Sequence, residues 1–213
     1  MTTDNPVNLW TSTEHVRDYL QRADLISHRG EGEAALLEFI PAKTQRILDL
    51  GTGDGRLLAL VRSAHPDTKG VAIDFSPAML EEARKRFAGD SRVSVVEHNM
   101  DSSLPDLGRF DAVISSFAIH HLAHERKREL YGEIYRLLNS GGVFCNLEHV
   151  SSPSARLHEE FLLRIGFTVE TEDPSNELLD FETQLGWLRD IGLVDVDCHW
   201  KWRELALLVG VRS

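Results

Sequence analysis

Cysteine is nearly absent: of 213 residues only Cys145 and Cys198 carry a thiol, each inside an apolar run of strand-like length. Two such residues build no disulfide framework, so both are expected as reduced core side chains of a protein in the reducing cytoplasm. Long apolar runs are missing too. No stretch approaches the ~18 residues of a membrane span, and the opening MTTDNPVNLW has neither the basic lead nor the apolar core of a secretory signal. Basic residues are scarce, 23 Lys and Arg against 34 Asp and Glu, for a net charge of −11. That balance argues against nucleic acid, whose binding rests on Lys and Arg displacing counterions from phosphates. The basic clusters at 84–86 and 126–128 stand among glutamates and read as solvated helix faces. Internal repeats and low-complexity linkers are also lacking, and the length fits one α/β domain over residues 1–213.

What is present centres on residues 46–56, RILDLGTGDGR. Ile47, Leu48 and Leu50 form an apolar run long enough for a buried strand and too short for a helix. It ends at Gly51, Gly53 and Gly55, residues that take positive φ and let a ligand approach bare backbone. Helical spacing follows, with Leu57, Leu58, Leu60 and Val61 on one face and Asp54 as the expected N-cap. Strand, glycine loop and helix together make a nucleotide cradle. Nineteen residues beyond Gly55, at the end of the run Val71-Ala72-Ile73, Asp74 stands where an acid accepts both hydroxyls of a ribose. A dinucleotide loop of the form GxGxxG would put glycine where this chain has Arg56, and would wrap a diphosphate. Here Asp49 and Asp54 flank the loop, which suits a ligand bearing an ammonium or sulfonium charge.

The motif LDLGTGDG, with Asp74 in register behind it, resembles the first motifs of the class I S-adenosylmethionine (SAM) dependent methyltransferases. The resemblance runs over nearly the whole chain from Arg46. It implies a doubly wound, seven-stranded, mostly parallel sheet with an antiparallel edge element, and SAM across the ends of the first four strands. The expected reaction is methyl transfer to a small-molecule acceptor by in-line displacement, with S-adenosylhomocysteine (SAH) as product. Cofactor contacts are implied at Asp49, Gly51, Gly53, Asp74, Phe75 on the adenine, Met100, Asp101 on the exocyclic amine, and Ser116. A monomer or homodimer with a small-molecule substrate and no nucleic-acid or membrane partner is expected. A SAM-binding protein without turnover, a metal-assisted methyltransferase, and more distantly an NAD or nucleotide-sugar enzyme, are the alternatives.

Along the chain, helical spacing predicts helices from 12 or 13 to 26 and over 32–40, closed by Pro41. By resemblance, residues 1–41 form a helical cap over the cofactor, and Arg29, in the connection between the two helices, can pair with the methionine carboxylate. Ser76-Pro77 opens a helix over 77–88, and strands are expected at 92–98 and 111–116. Phe117-Ala118-Ile119-His120-His121-Leu122 follows at the carboxyl end of the sheet, where ligands of such folds bind. Either histidine is a candidate general base, unranked. A helix over 125–138 ends at Gly141-Gly142, and a fifth strand over 143–147 reaches Glu148 and His149, a weak metal candidate. Residues 151–180 are polar and acidic, with an amphipathic piece at 155–165. Resemblance makes this insertion a lid, with His158, Phe161 and Phe167 near the acceptor. A helix over 181–191 and a hairpin of strands, 194–200 and 204–211, close the chain.

Overall fold

The computed structural model describes Trp10, Ser12, Glu14, Val16 and residues 27–213. Most of the helix expected up to residue 26 therefore lies outside the described residues. The strands β1 (Arg46–Leu50), β2 (Lys69–Asp74), β3 (Val93–Glu97), β4 (Phe110–Ser116), β5 (Leu138–His149), β6 (Leu193–Trp202) and β7 (Leu205–Arg212) form one sheet in the order β3-β2-β1-β4-β5-β7-β6. β1 lies inside the sheet between β2 and β4, with Leu48 facing Val71 of β2 and Val113 of β4 in parallel register. β7 runs antiparallel to both β5 and β6. The expected hairpin is present, but the antiparallel strand is inserted inside the sheet and β6 forms the edge.

Alternation of side chains along each strand sends residues to two separate cores. Helices α1 (Arg29–Leu37), α2 (Arg56–Ala64), α3 (Pro77–Arg86), α4 (His124–Leu137), α5 (Ala155–Arg164) and α6 (Phe181–Asp190) follow in chain order. On one face Leu48, Leu50 and Phe144 pack with Leu130 and Ile134 of α4 and Leu188 of α6. On the other, Ile47, Ala112 and Cys145 pack with Leu36 of α1 and Leu58 and Val61 of α2. Cys198, expected in the core, is only half-buried, because β6 is the edge strand.

Several helix boundaries follow the sequence signals and some do not. Ser76 caps α3, its hydroxyl accepting from Met79 N with Pro77 at the first position, and Asp180 caps α6 by accepting from Thr183 N at 2.8 Å. α1 begins at Arg29 and ends at Leu37, earlier at both ends than the periodicity implied, so Arg29 is helical. The cap of α2 is Gly55, in the left-handed region at φ 82°, and not Asp54. The Asp54 carboxylate instead accepts from Arg56 N at 3.2 Å and pairs with Arg86 of α3. β5 starts at Leu138, immediately after α4, and absorbs the glycine pair through a register shift opposite Phe110 and Ala112, with Gly141 at φ 76°.

The tightest approach in the fold is at the end of β1. A Cβ on Gly51, whose φ is +65°, would lie 2.2 Å from the Cβ of Ala118, whereas one on Gly89 at φ +81° meets nothing within 4 Å. Gly51→Ala is expected to lose ~2–4 kcal/mol, left-handed strain plus overpacking, and Gly89→Ala only the ~1 kcal/mol of strain. Denaturant midpoints of the two variants check this; equal losses would contradict it.

Candidate active site

The carboxyl ends of β1, β2 and β4 open into a cavity of about 260 Å³, a small member of the range of small-molecule clefts. Its floor is the turn after β1. Thr52 N donates to Ile73 O at 2.8 Å, and Gly53 N donates to Asp74 Oδ2 at 2.8 Å, so the glycine turn is tied to the end of β2. The other Asp74 oxygen accepts from Ser76 N at 2.9 Å. The Phe75 N–H also interacts with this carboxylate, which keeps capacity to accept from a hydroxyl donor. Burial pushes the Asp74 carboxyl above its usual range, against the pull of these backbone N–H groups.

Asp49 lines the same cavity from inside β1, where it is 1% exposed. Its Oδ2 accepts the Thr52 hydroxyl at 2.6 Å. Burial pushes its carboxyl up to about 7, further raised by the neighbouring Asp74 and Asp54. At the far side Glu33 of α1 gathers two guanidiniums. Arg29 Nε lies 2.9 Å and Arg56 Nε 3.1 Å from Glu33 Oε1. Two cations share this buried carboxylate, and both arginines line the cavity. Arg29 also lies over the Phe117 ring, 5.5 Å from its centroid. Phe117 itself holds a left-handed backbone at φ 51° and lines the cavity, the kind of strained position that clusters at ligand sites. Two buried polar atoms on the wall, Ser116 Oγ and His98 Nε2, have no hydrogen-bond partner among the described residues. Buried groups are ordinarily satisfied, so this wall fits a polar ligand.

A short 3₁₀ turn, Ile119–His121, separates the two histidines by environment. His121 lines the cavity; its Nδ1 is 2.8 Å from Ser175 Oγ and its ring meets the edge of Trp10 at 5.5 Å. Burial, then the neighbouring His120, pushes His121 down to about 3, so it is neutral at ordinary pH. His120 does not line the cavity. Its Nδ1 lies 2.9 Å from Oε1 of Glu148, a fully buried carboxyl that also accepts from Asn146 Nδ2 at 3.1 Å. Burial drives His120 well below and Glu148 above their usual ranges, so neither favours charge. His149 is held by Glu204 at 3.0 Å, and Glu204 also binds His158 at 3.1 Å.

Of the residues singled out from sequence, Arg29, Asp49, Gly51, Gly53, Asp74 and Phe75 all line this cavity, and so do Met100, Ser116 and His121. Asp101 does not. It is exposed beyond an Asn99 side-chain turn, in which Asn99 Oδ1 accepts Asp101 N at 2.9 Å, so that His98 and Asn99 face the cavity in its place. None of residues 151–180 lines the cavity either. α5 instead packs Phe161 and Leu162 against Leu205 and Trp202, and the segment beyond it passes behind the histidines, Glu177 N donating to His120 O at 2.9 Å. Trp10, Glu33 and Ser175 were not singled out from sequence. The i, i+4 spacing of Arg29 and Glu33 was a readable signal, whereas the contacts of Trp10 and Ser175 join residues far apart in the chain.

The Asp49 carboxyl must ionise before it can face a cation, so affinity for SAH, which carries an ammonium, is expected to rise with pH. Below about 7 the dependence approaches ~10-fold per pH unit, flattening above. Calorimetric titrations across that range check it, and Asp49→Asn should remove the slope. A flat profile in the parent protein would contradict it.

A methyltransferase domain model matches residues 47–142, from β1 into the start of β5. The chain is 32% identical over 173 residues to a demethylmenaquinone methyltransferase of Clavibacter sepedonicus, covering 74% of this chain and 69% of that protein. Among solved structures it resembles an O-methyltransferase family protein from Burkholderia thailandensis, with a TM-score of 0.76, 23% identity, and coverage of 96% of this chain and 61% of that one. Human N-acetylserotonin methyltransferase, solved with SAM, superposes with a TM-score of 0.72 and 17% identity over all of this chain and 60% of its own. The chain thus spans about three fifths of these two structures. Among the described residues no helix is long and apolar enough to cross a membrane. With its glycine turn, its acid at the end of β2 and these relatives, the chain belongs to the SAM-dependent methyltransferases.

Proposed function

We propose that this protein methylates a small organic acceptor bearing a protic heteroatom, with His121 receiving the proton. The observation that carries the reading is that one cavity is lined by Asp49 and Asp74 together with His121, Phe117 and Leu122. SAM supplies, when bound, a methyl carbon on a positively charged sulfur that leaves as a neutral thioether. Asp74 holds the ribose hydroxyls, Asp49 faces the ammonium, and the Arg29–Glu33–Arg56 cluster holds the carboxylate. Phe75 packs on the adenine, whose polar edge meets His98 and Asn99. Asp101 has no part in this. The net charge of −11 disfavours RNA and DNA as acceptors, and the demethylmenaquinone methyltransferase relative supports a small one.

Positioning and water exclusion contribute most of the rate, because the methyl donor is already activated. The basicity of His121 need not be high. After methyl transfer to a hydroxyl, the acceptor oxygen carries positive charge and its proton is strongly acidic, so a neutral imidazole of depressed basicity suffices. The turn carrying His121 is buttressed by His120 and Glu148 from within and by residues 173–177 from outside, which makes the insertion a brace in place of a lid.

An acceptor panel of phenols, hydroxyquinones, amines and thiols, read by SAH release, tests the reading; release only with RNA or protein would overturn it. With the acceptor so found, His121→Ala is expected to lower kcat by ~10²–10⁴ while SAH still binds. His120→Ala should instead act mainly on stability, at a cost of ~1–3 kcal/mol for the partner lost to buried Glu148. Turnover and denaturant midpoints of the two variants separate the roles; an unchanged kcat in His121→Ala would contradict the assignment.

A further inference from the structure

Among the described residues His121 has a partner on one ring nitrogen only, and that partner comes from 54 residues away. Nδ1 lies 2.8 Å from Ser175 Oγ and 3.3 Å from Ser175 O. A carbonyl oxygen only accepts, so Nδ1 must carry a hydrogen to satisfy it. The hydroxyl gives the same answer independently. Ser175 Oγ donates to Asp173 Oδ1 at 2.7 Å, and that oxygen also accepts Ser175 N at 2.9 Å. With its one hydrogen spent on a carboxylate, the hydroxyl can only accept from Nδ1–H. The direction is fixed along the whole chain: Nδ1–H to Oγ, O–H to Asp173. The bare nitrogen is then Nε2, and His121 lines the cavity.

We propose that Asp173 and Ser175 are positioning residues that lock His121 as its Nδ1–H tautomer and so present Nε2 as a hydrogen-bond acceptor to the methyl acceptor. The proposal rests on the reading of His121 above, and it narrows the substrate to an acceptor with an O–H, N–H or S–H. The acceptor's lone pair forms the new bond to the methyl carbon, the C–S bonding pair returns to sulfur, and the displaced proton passes to Nε2. The imidazolium so formed keeps Nδ1–H on Ser175, with the Asp173 carboxylate one hydroxyl behind it to offset the charge. A His–carboxylate contact does the same work in many sites; here a serine hydroxyl is interposed, which orients the ring and places the negative charge further from it. Neither Ser175 nor Asp173 lines the cavity, so they act through His121 alone.

Nitrogen NMR of protein labelled at histidine tests the tautomer without any acceptor, the His121 signals being identified by their loss in His121→Asn. The expected result is protonated Nδ1 and bare Nε2 in the parent protein, with Ser175→Ala moving the proton to Nε2 or into exchange and Ser175→Thr restoring it. Ser175→Ala should also lower kcat at least tenfold with SAH affinity unchanged, and Ser175→Thr should recover most of it. A protonated Nε2 in the parent protein overturns the proposal even if Ser175→Ala does not fold. So does an unaltered tautomer in Ser175→Ala, or a loss of SAH affinity matching the loss of turnover. If His121→Ala keeps full activity while the tautomer is as expected, it is the base assignment that fails, and the lock stands.

Discussion

One tie organises this molecule: the carboxylate at the end of β2 grips the backbone of the turn that leaves β1. Asp74 takes the N–H of Gly53 on one oxygen and that of Ser76 on the other, so two βα turns share a single anchor. The turn can lie this close because Gly51 has no side chain where Ala118, beyond β4, presses from the opposite side. The cavity is therefore bounded by the ends of three adjacent strands, and its shape is set by backbone, which no rotamer change can relax. Asp74 thus anchors the fold and lines the cavity at once.

Charge is distributed to match a zwitterionic ligand with an added sulfonium. Buried Asp49 and half-buried Asp74 line the cavity, as do two arginines that share Glu33. Burial keeps the Asp49 carboxyl protonated up to about neutral pH, a penalty that a cationic ligand offsets. The histidine beyond them is held neutral by the same burial, which spares the sulfonium a nearby like charge.

Local signals were legible where the chain's own neighbours decide the outcome. The strand, glycine turn and helix around residues 46–64, the Ser76-Pro77 helix start and the closing hairpin all follow from spacing and turn chemistry within a dozen residues. Asp74 was legible as a cavity residue because it closes an apolar run at a fixed chain distance from the glycine loop. Asp101 failed for a local reason: Asn99 took the turn first and pointed the next acid outward. The roles of His120 and His121 could not be ranked from adjacent letters, because the difference lies in Glu148 on one side and Ser175 on the other, 28 and 54 residues away. The insertion after β5 read as a lid from its polarity, but its apolar residues, Phe161 and Leu162, are spent on the β6–β7 edge.

A crystal structure of the protein with SAH tests the account most directly. Both ribose hydroxyls are expected within hydrogen-bonding distance of the Asp74 carboxylate, ~2.5–3.0 Å, with the Gly51–Gly53 backbone against the nucleoside and the Gly53 N–H still on Asp74. A ribose held by other residues, or a glycine turn released from Asp74 on binding, would contradict it.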